Sequence, residues 1–266
     1  MHKVISDENL KVKLFLKSGL VLLLWQAAAI QAATIVTNIA AGYSQSFFLK
    51  SDGSLWGMGG NGNGEIGDGS YHNATRPKQI VASNVVAIAG GGFHTLFIKS
   101  DGSLWGMGWN GYGELGDGTF NTTNRPKQIV SSGVAAVTAG ESHSLFLKSD
   151  GSLWAMGLNQ DGQLGDGTFN YTNQPEQIIS GGVKAIAAGA YHTLFLKSDG
   201  SLWGMGANSS GELGDGTTNN VNLPEQIIPS DVVAIACRGG HSLFLKSDRS
   251  LWAMGENVDG QLVILG

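Results

Sequence analysis

The stretch Ser100-Asp101-Gly102-Ser103-Leu104-Trp105 decides the fold, because it recurs along the chain at a fixed spacing. Copies of the same six residues begin at Ser51, Ser149 and Ser198. A fifth copy begins at Ser247 and carries Arg249 in place of the glycine. Successive copies are 49 residues apart, and a constant period of this length indicates a single array of structural repeats.

Each repeat predicts four short antiparallel strands. In the second copy, the small apolar run Val85–Ala89 predicts a strand near a central axis, and His94–Lys99 alternates as a second strand. Asp101-Gly102 supplies a hairpin turn into the third strand, Leu104–Met107. After a long loop rich in turn residues, Pro126–Val130 predicts an outer strand. Four such strands form the blade of an all-β propeller, and the 41 glycines suit its many turns.

The repeat also sets the predicted domain limits. We expect one propeller over residues 34–266, with blades at 39–87, 88–136, 137–185 and 186–234 and an incomplete fifth blade at 235–266. The fifth copy is incomplete because Gln261-Leu262 is followed by Val263-Ile264-Leu265 instead of the Gly-Asp-Gly of the other copies. An uncovered last blade is also a possible site of self-association.

The N-terminal segment has the order of a secretory signal peptide. Three lysines, Lys11, Lys13 and Lys17, precede the apolar run Leu20–Ile30, and small residues follow up to Ala33. We therefore predict a signal peptide over residues 1–33, no membrane span after its cleavage, and a secreted, periplasmic or cell-surface protein. Asp7 and Glu8 leave a buried terminal segment as the alternative. The net charge of −5 argues against nucleic acid as a partner.

Several motifs recur together in register and resemble a known family. They are Ala-Gly-x-x-His-Thr/Ser-Leu, Ser-Asp-Gly-Ser-Leu-Trp and Gly-x-Asn-x-x-Gly-Glu/Gln-Leu-Gly-Asp-Gly-Thr, followed by a proline. From Ile39 to about Leu262 the chain resembles the regulator of chromosome condensation (RCC1-like) repeats, in their bacterial secreted form. The resemblance implies a propeller that usually has seven blades. It also implies regulators of two kinds, guanine-nucleotide exchange on a small GTPase and inhibition of β-lactamase, both acting by protein contact.

Residues that occur at the same place in every blade are predicted to be structural. The histidines are expected to bond the backbone between neighbouring blades, the aspartates to bond their own tight loops, and the tryptophans to fill the blade core. They are His94, His143, His192 and His241; Asp68, Asp117, Asp166 and Asp215; and Trp56, Trp105, Trp154, Trp203 and Trp252. Because an active site normally breaks such symmetry, we expect no catalytic residues, no metal and no cofactor.

Exposed positions that differ between blades are the better candidates for binding. Aromatic and cationic residues at such positions suit a protein-binding surface. The candidates are Trp109, Tyr112, Phe93, Tyr191, Tyr171 and Arg238. Phe120 and Phe169 recur in phase and are interpreted as covers of inter-blade grooves. The sequence therefore predicts a non-enzymatic scaffold that binds another protein of unknown identity through one loop face, with carbohydrate binding or a structural cell-surface array as alternatives.

Overall fold

The computed structural model describes residues 34–262 and consists of 19 strands. The predicted signal peptide and residues 263–266 lie outside this range. The strands are β1 (Val36–Ala41), β2 (Gln45–Lys50), β3 (Leu55–Gly59), β4 (Ala74–Val81), β5 (Val85–Gly90), β6 (His94–Lys99), β7 (Leu104–Gly108), β8 (Thr123–Val130), β9 (Val134–Ala139), β10 (His143–Lys148), β11 (Leu153–Gly157), β12 (Thr172–Ile179), β13 (Val183–Ala188), β14 (His192–Lys197), β15 (Leu202–Gly206), β16 (Val221–Ile228), β17 (Val232–Arg238), β18 (His241–Lys246) and β19 (Leu251–Gly255). Within residues 34–262 there is no helix long and apolar enough to cross a membrane.

The strands form five antiparallel sheets in chain order, four of four strands and a last one of three. The predicted all-β array of blades with an incomplete fifth member is therefore confirmed. The boundaries are shifted, because the predicted blades 39–87 and 88–136 divide strand β5 (Val85–Gly90), which pairs along its whole length with β6 in the second sheet. The observed sheets instead begin at Val36, Val85, Val134, Val183 and Val232.

The repeated hairpin holds each blade together at one end. Asp101 Oδ1 accepts hydrogen bonds from the backbone N–H and the hydroxyl of Ser103. Gly102 takes a positive φ of 76°, which a side chain would strain. Trp105 Nε1 donates to Ser103 Oγ, and the Lys99 ammonium lies 3.9 Å from the centre of a Trp105 ring. The first four of these tryptophans are half-buried and Trp252 is exposed, so they cover the blades more than they fill the core.

Apolar packing between neighbouring blades supplies the core. In the first interface, Phe47 and Leu49 of the first blade pack with Phe97 and Met107 of the second. The corresponding residues pack in the same way at the other interfaces. The two end faces lack this cover within residues 34–262: Ile39 of the first blade is 76% exposed, whereas its counterpart Ile88 is partly buried.

A buried polar relay also joins the blades. His94 Nε2 lies 2.9 Å from Ser144 Oγ of the next blade, and that hydroxyl donates to the backbone oxygen of Glu114. Since the serine hydrogen is used in that bond, His94 Nε2 must be the donor to Ser144. His143 and His192 reach Thr193 and Ser242 in the same way. His94, His143 and His192 thus join neighbouring blades through a hydroxyl, whereas backbone partners were expected from the sequence.

Candidate binding surface

The strand order places all candidate residues at one end of the molecule. In each antiparallel blade, the loop between the first and second strands and the long loop between the third and fourth lie at the same end, opposite the Ser-Asp-Gly-Ser hairpins. We call these the axial loops and the long loops, and the end that they share the loop end. Trp109, Tyr112 and Tyr171 are on long loops, whereas Phe93 and Tyr191 are on axial loops and Arg238 ends β17 beside one.

The long loops have a rigid polar base that the sequence analysis did not single out. Asn110 is fully buried, donates from Nδ2 to Asp117 Oδ1, and accepts from the backbone N–H of Leu115. Asp117 Oδ1 also accepts from the N–H of Thr119. Asn61, Asn159 and Asn208 make the corresponding bonds in the other complete blades. The repeated asparagine of the Gly-x-Asn motif is the feature of the sequence that could have revealed this base. The base is a fixed platform for the long-loop side chains that differ between blades.

Three aromatic rings from neighbouring blades cluster on this platform. The ring centres of Tyr112 and Tyr171 are 6.1 Å apart and those of Phe120 and Tyr171 are 5.7 Å apart, both edge to face. Tyr112 is 41% exposed and Tyr171 54% exposed. Phe120, interpreted from sequence as a groove cover, is also exposed and belongs to this cluster. The three rings form one exposed aromatic cluster that spans the second and third blades.

Two other candidates lie apart from this cluster. Phe93 pairs with Tyr43 of the first blade at a ring distance of 5.8 Å, and both are exposed. Trp109 lies over Gly111, where a Cβ would be only 2.5 Å from the indole Cζ2. Trp109 therefore adds a separate exposed ring to the loop end of the second blade.

The axial loops are joined in a circuit of hydrogen bonds. Gln45 Nε2 donates to the backbone oxygen of Gly91, and Arg238 Nη2 donates across the chain to the oxygen of Gly42. Backbone bonds from Gly92, Glu141 and Ala190 connect the intervening blades. A cavity of about 290 Å³ opens inside this circuit and is lined by residues that include Tyr43, Glu141 and Arg238. Arg238 thus links the last blade to the first.

The second blade carries a buried polar atom without a partner. Glu114 Oε2 accepts from the N–H of Tyr112, but Glu114 Oε1 has no hydrogen-bond partner. In the first blade, Asn63 Nδ2 donates to the corresponding Glu65 Oε1. Tyr112 occupies the place of Asn63 and cannot make that bond. Burial raises the pKa of Glu114 to about 7, although backbone hydrogen bonds oppose the shift.

The charges of the long loops also differ between blades. Lys78 and Lys127 on the outer strands of the first two blades form ion pairs with Asp68 and Asp117. The third and fourth blades carry Glu176 and Glu225 at the position of these lysines. Burial and the nearby Asp166 carboxylate raise the pKa of Glu176. The loop end is therefore more acidic on its third and fourth blades.

The repeated histidines do not offer a metal site in the part of the chain that the structure describes. No group of three His, Cys, Asp or Glu side chains converges there. Burial lowers the pKa of His94 and His192 to about 4, and burial with the two neighbouring histidines lowers that of His143 to about 3. These side chains are neutral at pH 7 and engaged in the relay between blades.

Blades that share one repeated plan and a variable loop end define a class of protein, the repeat-built propeller that presents different side chains on a common frame. The chain belongs to the family of the RCC1-like domain, whose model matches residues 23–265.

Solved structures share this fold. Human WBSCR16 is 25% identical with a TM-score of 0.75, covering 84% of this chain and 62% of its own. Yeast RCC1 (Prp20), solved with Kap60, is 23% identical with a TM-score of 0.72, covering 85% of this chain and 57% of its own. Prp20p from Saccharomyces cerevisiae, studied for its binding to Gsp1p and histones, is 24% identical with a TM-score of 0.73; 84% of this chain and 58% of that one are covered. The chain thus spans less than two thirds of the length of these structures. The comparison with curated proteins found no match.

Proposed function

We propose that the protein is a non-enzymatic binding module that contacts another protein through its loop end. The observation that carries this proposal is the Tyr112–Tyr171–Phe120 cluster, exposed on a base that the buried asparagines hold rigid. Tyrosine and phenylalanine supply large contact areas and are enriched at the centres of protein interfaces. Rings that contribute little to the core but are held in place suit such a role.

The family supports a protein partner. Yeast Prp20 has been solved bound to Kap60, and its binding to Gsp1p and to histones has been studied. Those partners are proteins, so the fold serves as a frame for protein recognition in these relatives. The side chains of the loop end differ between blades of this chain, so they would set its own specificity.

We also propose that the partner is met outside the cytoplasm, as the signal-like order of residues 1–33 suggests. The mass of the protein recovered from the culture medium and cell envelope tests this. A mass lower by the N-terminal segment supports the proposal. Full-length protein confined to the cytoplasm contradicts it.

The binding surface is tested by capture with immobilised protein, followed by identification of the partner and a measured affinity. Tyr112→Asn and Tyr171→Asn each introduce the residue that the first blade carries there, Asn63 or Asn73. We expect each to weaken binding about tenfold or more, as loss of an aromatic contact in an interface does. Asp231→Asn, which lies on the opposite end and introduces the residue that Asn84 supplies in the first blade, is the matched control. Unchanged affinity in both tyrosine variants would overturn the surface assignment.

Other functions are outcomes of parallel assays. Nucleotide release from a captured GTPase would identify an exchange factor, and reduced turnover of a captured β-lactamase would identify an inhibitor. Binding on a glycan array that Tyr112→Asn abolishes would favour a lectin over a protein-binding module.

A further inference from the structure

We propose that the partner presents a basic segment, and that this segment binds an acidic sector of the third blade, which carries Glu141 on its axial loop, Asp161 on its long loop and Glu176 on its outer strand, beside the rings of Tyr112 and Tyr171. The proposal rests on the proposed function, because it names the chemistry of the partner for the same surface.

Charge is distributed unevenly over the long loops and outer strands. Lysines on the outer strands of the first two blades neutralise the aspartates of their own long loops. The third blade replaces that lysine with Glu176, which lies near Asp166 and shares its sign of charge. Asp161 adds a further carboxylate on the same long loop, at the position that Asn63 occupies in the first blade. This side of the loop end therefore attracts a cationic partner.

Two of these carboxylates, Glu141 and Asp161, lie beside aromatic rings. The backbone N–H of Glu141 donates to the oxygen of Ala190, the residue before Tyr191. Burial together with the Glu141 and Asp161 carboxylates raises the pKa of Tyr191. Tyr112 contacts Tyr171. A ring face with carboxylates beside it binds ammonium and guanidinium groups. The protein uses the same attraction within itself at the hairpin end, where five lysines lie 3.9 to 4.9 Å from tryptophan ring centres.

Tyr112 and Glu176 are residues that the isolated fold does not favour. Tyr112 leaves Glu114 Oε1 buried without a partner, and Glu176 faces a like charge instead of forming an ion pair. The first blade shows that the same frame accommodates Asn63 and Lys78, which avoid both defects. A basic partner would offset the like charges of Glu176 and Asp166 when it binds, which accounts for a glutamate where the first two blades carry lysine.

The test uses fluorescence anisotropy with the full chain and two labelled probes, an arginine–glycine peptide and a glutamate–glycine peptide of equal length. We expect the basic probe to bind more tightly and its affinity to fall as salt rises. Asp161→Asn should weaken binding of the basic probe by roughly two- to fivefold. Glu176→Lys reverses the charge and should weaken it by at least as much. Asp231→Asn removes the same charge as Asp161→Asn at the opposite end and should leave the affinity unchanged.

Two outcomes would overturn the proposal: equal binding of the two probes, or an equal loss of affinity in Asp231→Asn and Asp161→Asn. Misfolding is separated from lost recognition, because Glu176→Lys should pair with Asp166 as Lys127 pairs with Asp117 and should not lower the free energy of unfolding. If Tyr112→Asn and Tyr171→Asn abolish capture of a protein while the charge variants retain it, the binding surface stands and the basic partner is rejected. If no variant affects capture, both are rejected.

Discussion

The first and second blades follow one plan and differ at a few informative positions. Both pair four antiparallel strands with corresponding registers, and both anchor the long loop through a buried asparagine. The first blade carries Gln45 and Asn63 where the second carries His94 and Tyr112. Gln45 and His94 both bond to the next blade, so this difference preserves a structural contact.

The difference between Asn63 and Tyr112 does not preserve a contact. Asn63 completes the hydrogen bonds of Glu65, whereas Tyr112 leaves Glu114 Oε1 unpaired and exposes an aromatic ring. The position of Gln45 and His94 therefore keeps a contact between blades, whereas the position of Asn63 and Tyr112 loses a buried hydrogen bond in the second blade. Exchanging residues between the two blades tests that difference.

The largest effect is expected from Gly91→Ala in the second blade. The new Cβ would lie 2.3 Å from His94 Cε1, and the buried ring is held by Ser144. Overpacking and a weakened hydrogen bond together should lower the free energy of unfolding by about 2–4 kcal/mol. Denaturant titration measures it. A value within error of the parent protein would show that the glycine is not required by the ring.

His94→Gln, which copies Gln45, should reduce the sensitivity of the fold to acid. An unfolded histidine binds a proton near pH 6.5, whereas His94 in the fold does so only near pH 4. The unfolded state therefore binds more protons between these values, and stability falls as the pH falls. Each such histidine should lower the free energy of unfolding by about 2 kcal/mol between pH 7 and pH 5.

Glu114 has the opposite effect on how stability changes with pH. Its pKa in the folded protein, about 7, lies above the ordinary value, so its protonation favours the fold as the pH falls. It is one group against three buried histidines, so a net loss in acid is expected. Unfolding titrations at pH 7 and pH 5 compare the parent with His94→Gln. Equal acid losses in the two proteins would contradict this account of the relay.

The smallest effect is expected from exchanging the loop residues. Tyr112→Asn should raise the free energy of unfolding by about 1 kcal/mol, because the amide can donate to Glu114 Oε1 as Asn63 does to Glu65. Asn63→Tyr should lower it by a similar amount. Both are measured by denaturant titration at pH 8, where the Glu114 carboxyl is ionised. A loss of stability in Tyr112→Asn would show that the tyrosine ring supports the fold.

The architecture could be predicted from the sequence because its cause is local and repeated. The turn residues of Asp101-Gly102 and the alternation of His94–Lys99 act within each repeat, and the copies in the other blades reinforce the interpretation. The boundary between blades was harder to predict from the sequence. A period fixes the length of a repeat but not its starting point, and strand pairing places the start at Val85.

The proposed binding surface was only partly predictable. Departure from the repeat identified Tyr112 and Tyr171 as candidates, but their contact with each other depends on how neighbouring blades are placed. Phe120 was interpreted as structural because it recurs in phase, yet it lies exposed against Tyr171. The unpaired oxygen of Glu114 is a property of three-dimensional packing that one sequence does not reveal.

The axial circuit closed by Arg238 and Gly42 affects the order in which the repeats unfold locally. A linear array of repeats frays from its ends, so amide hydrogens there exchange with solvent before those in the middle. Here one exposed hydrogen bond, from Arg238 Nη2 to the Gly42 oxygen, joins the fifth repeat to the first, so we expect exchange at the two ends to be coupled. Arg238→Gly, which restores the residue of the other blades, should release the terminal repeats and accelerate exchange in β1 and β17 ahead of β9. In the parent protein, exchange at the two ends should proceed together.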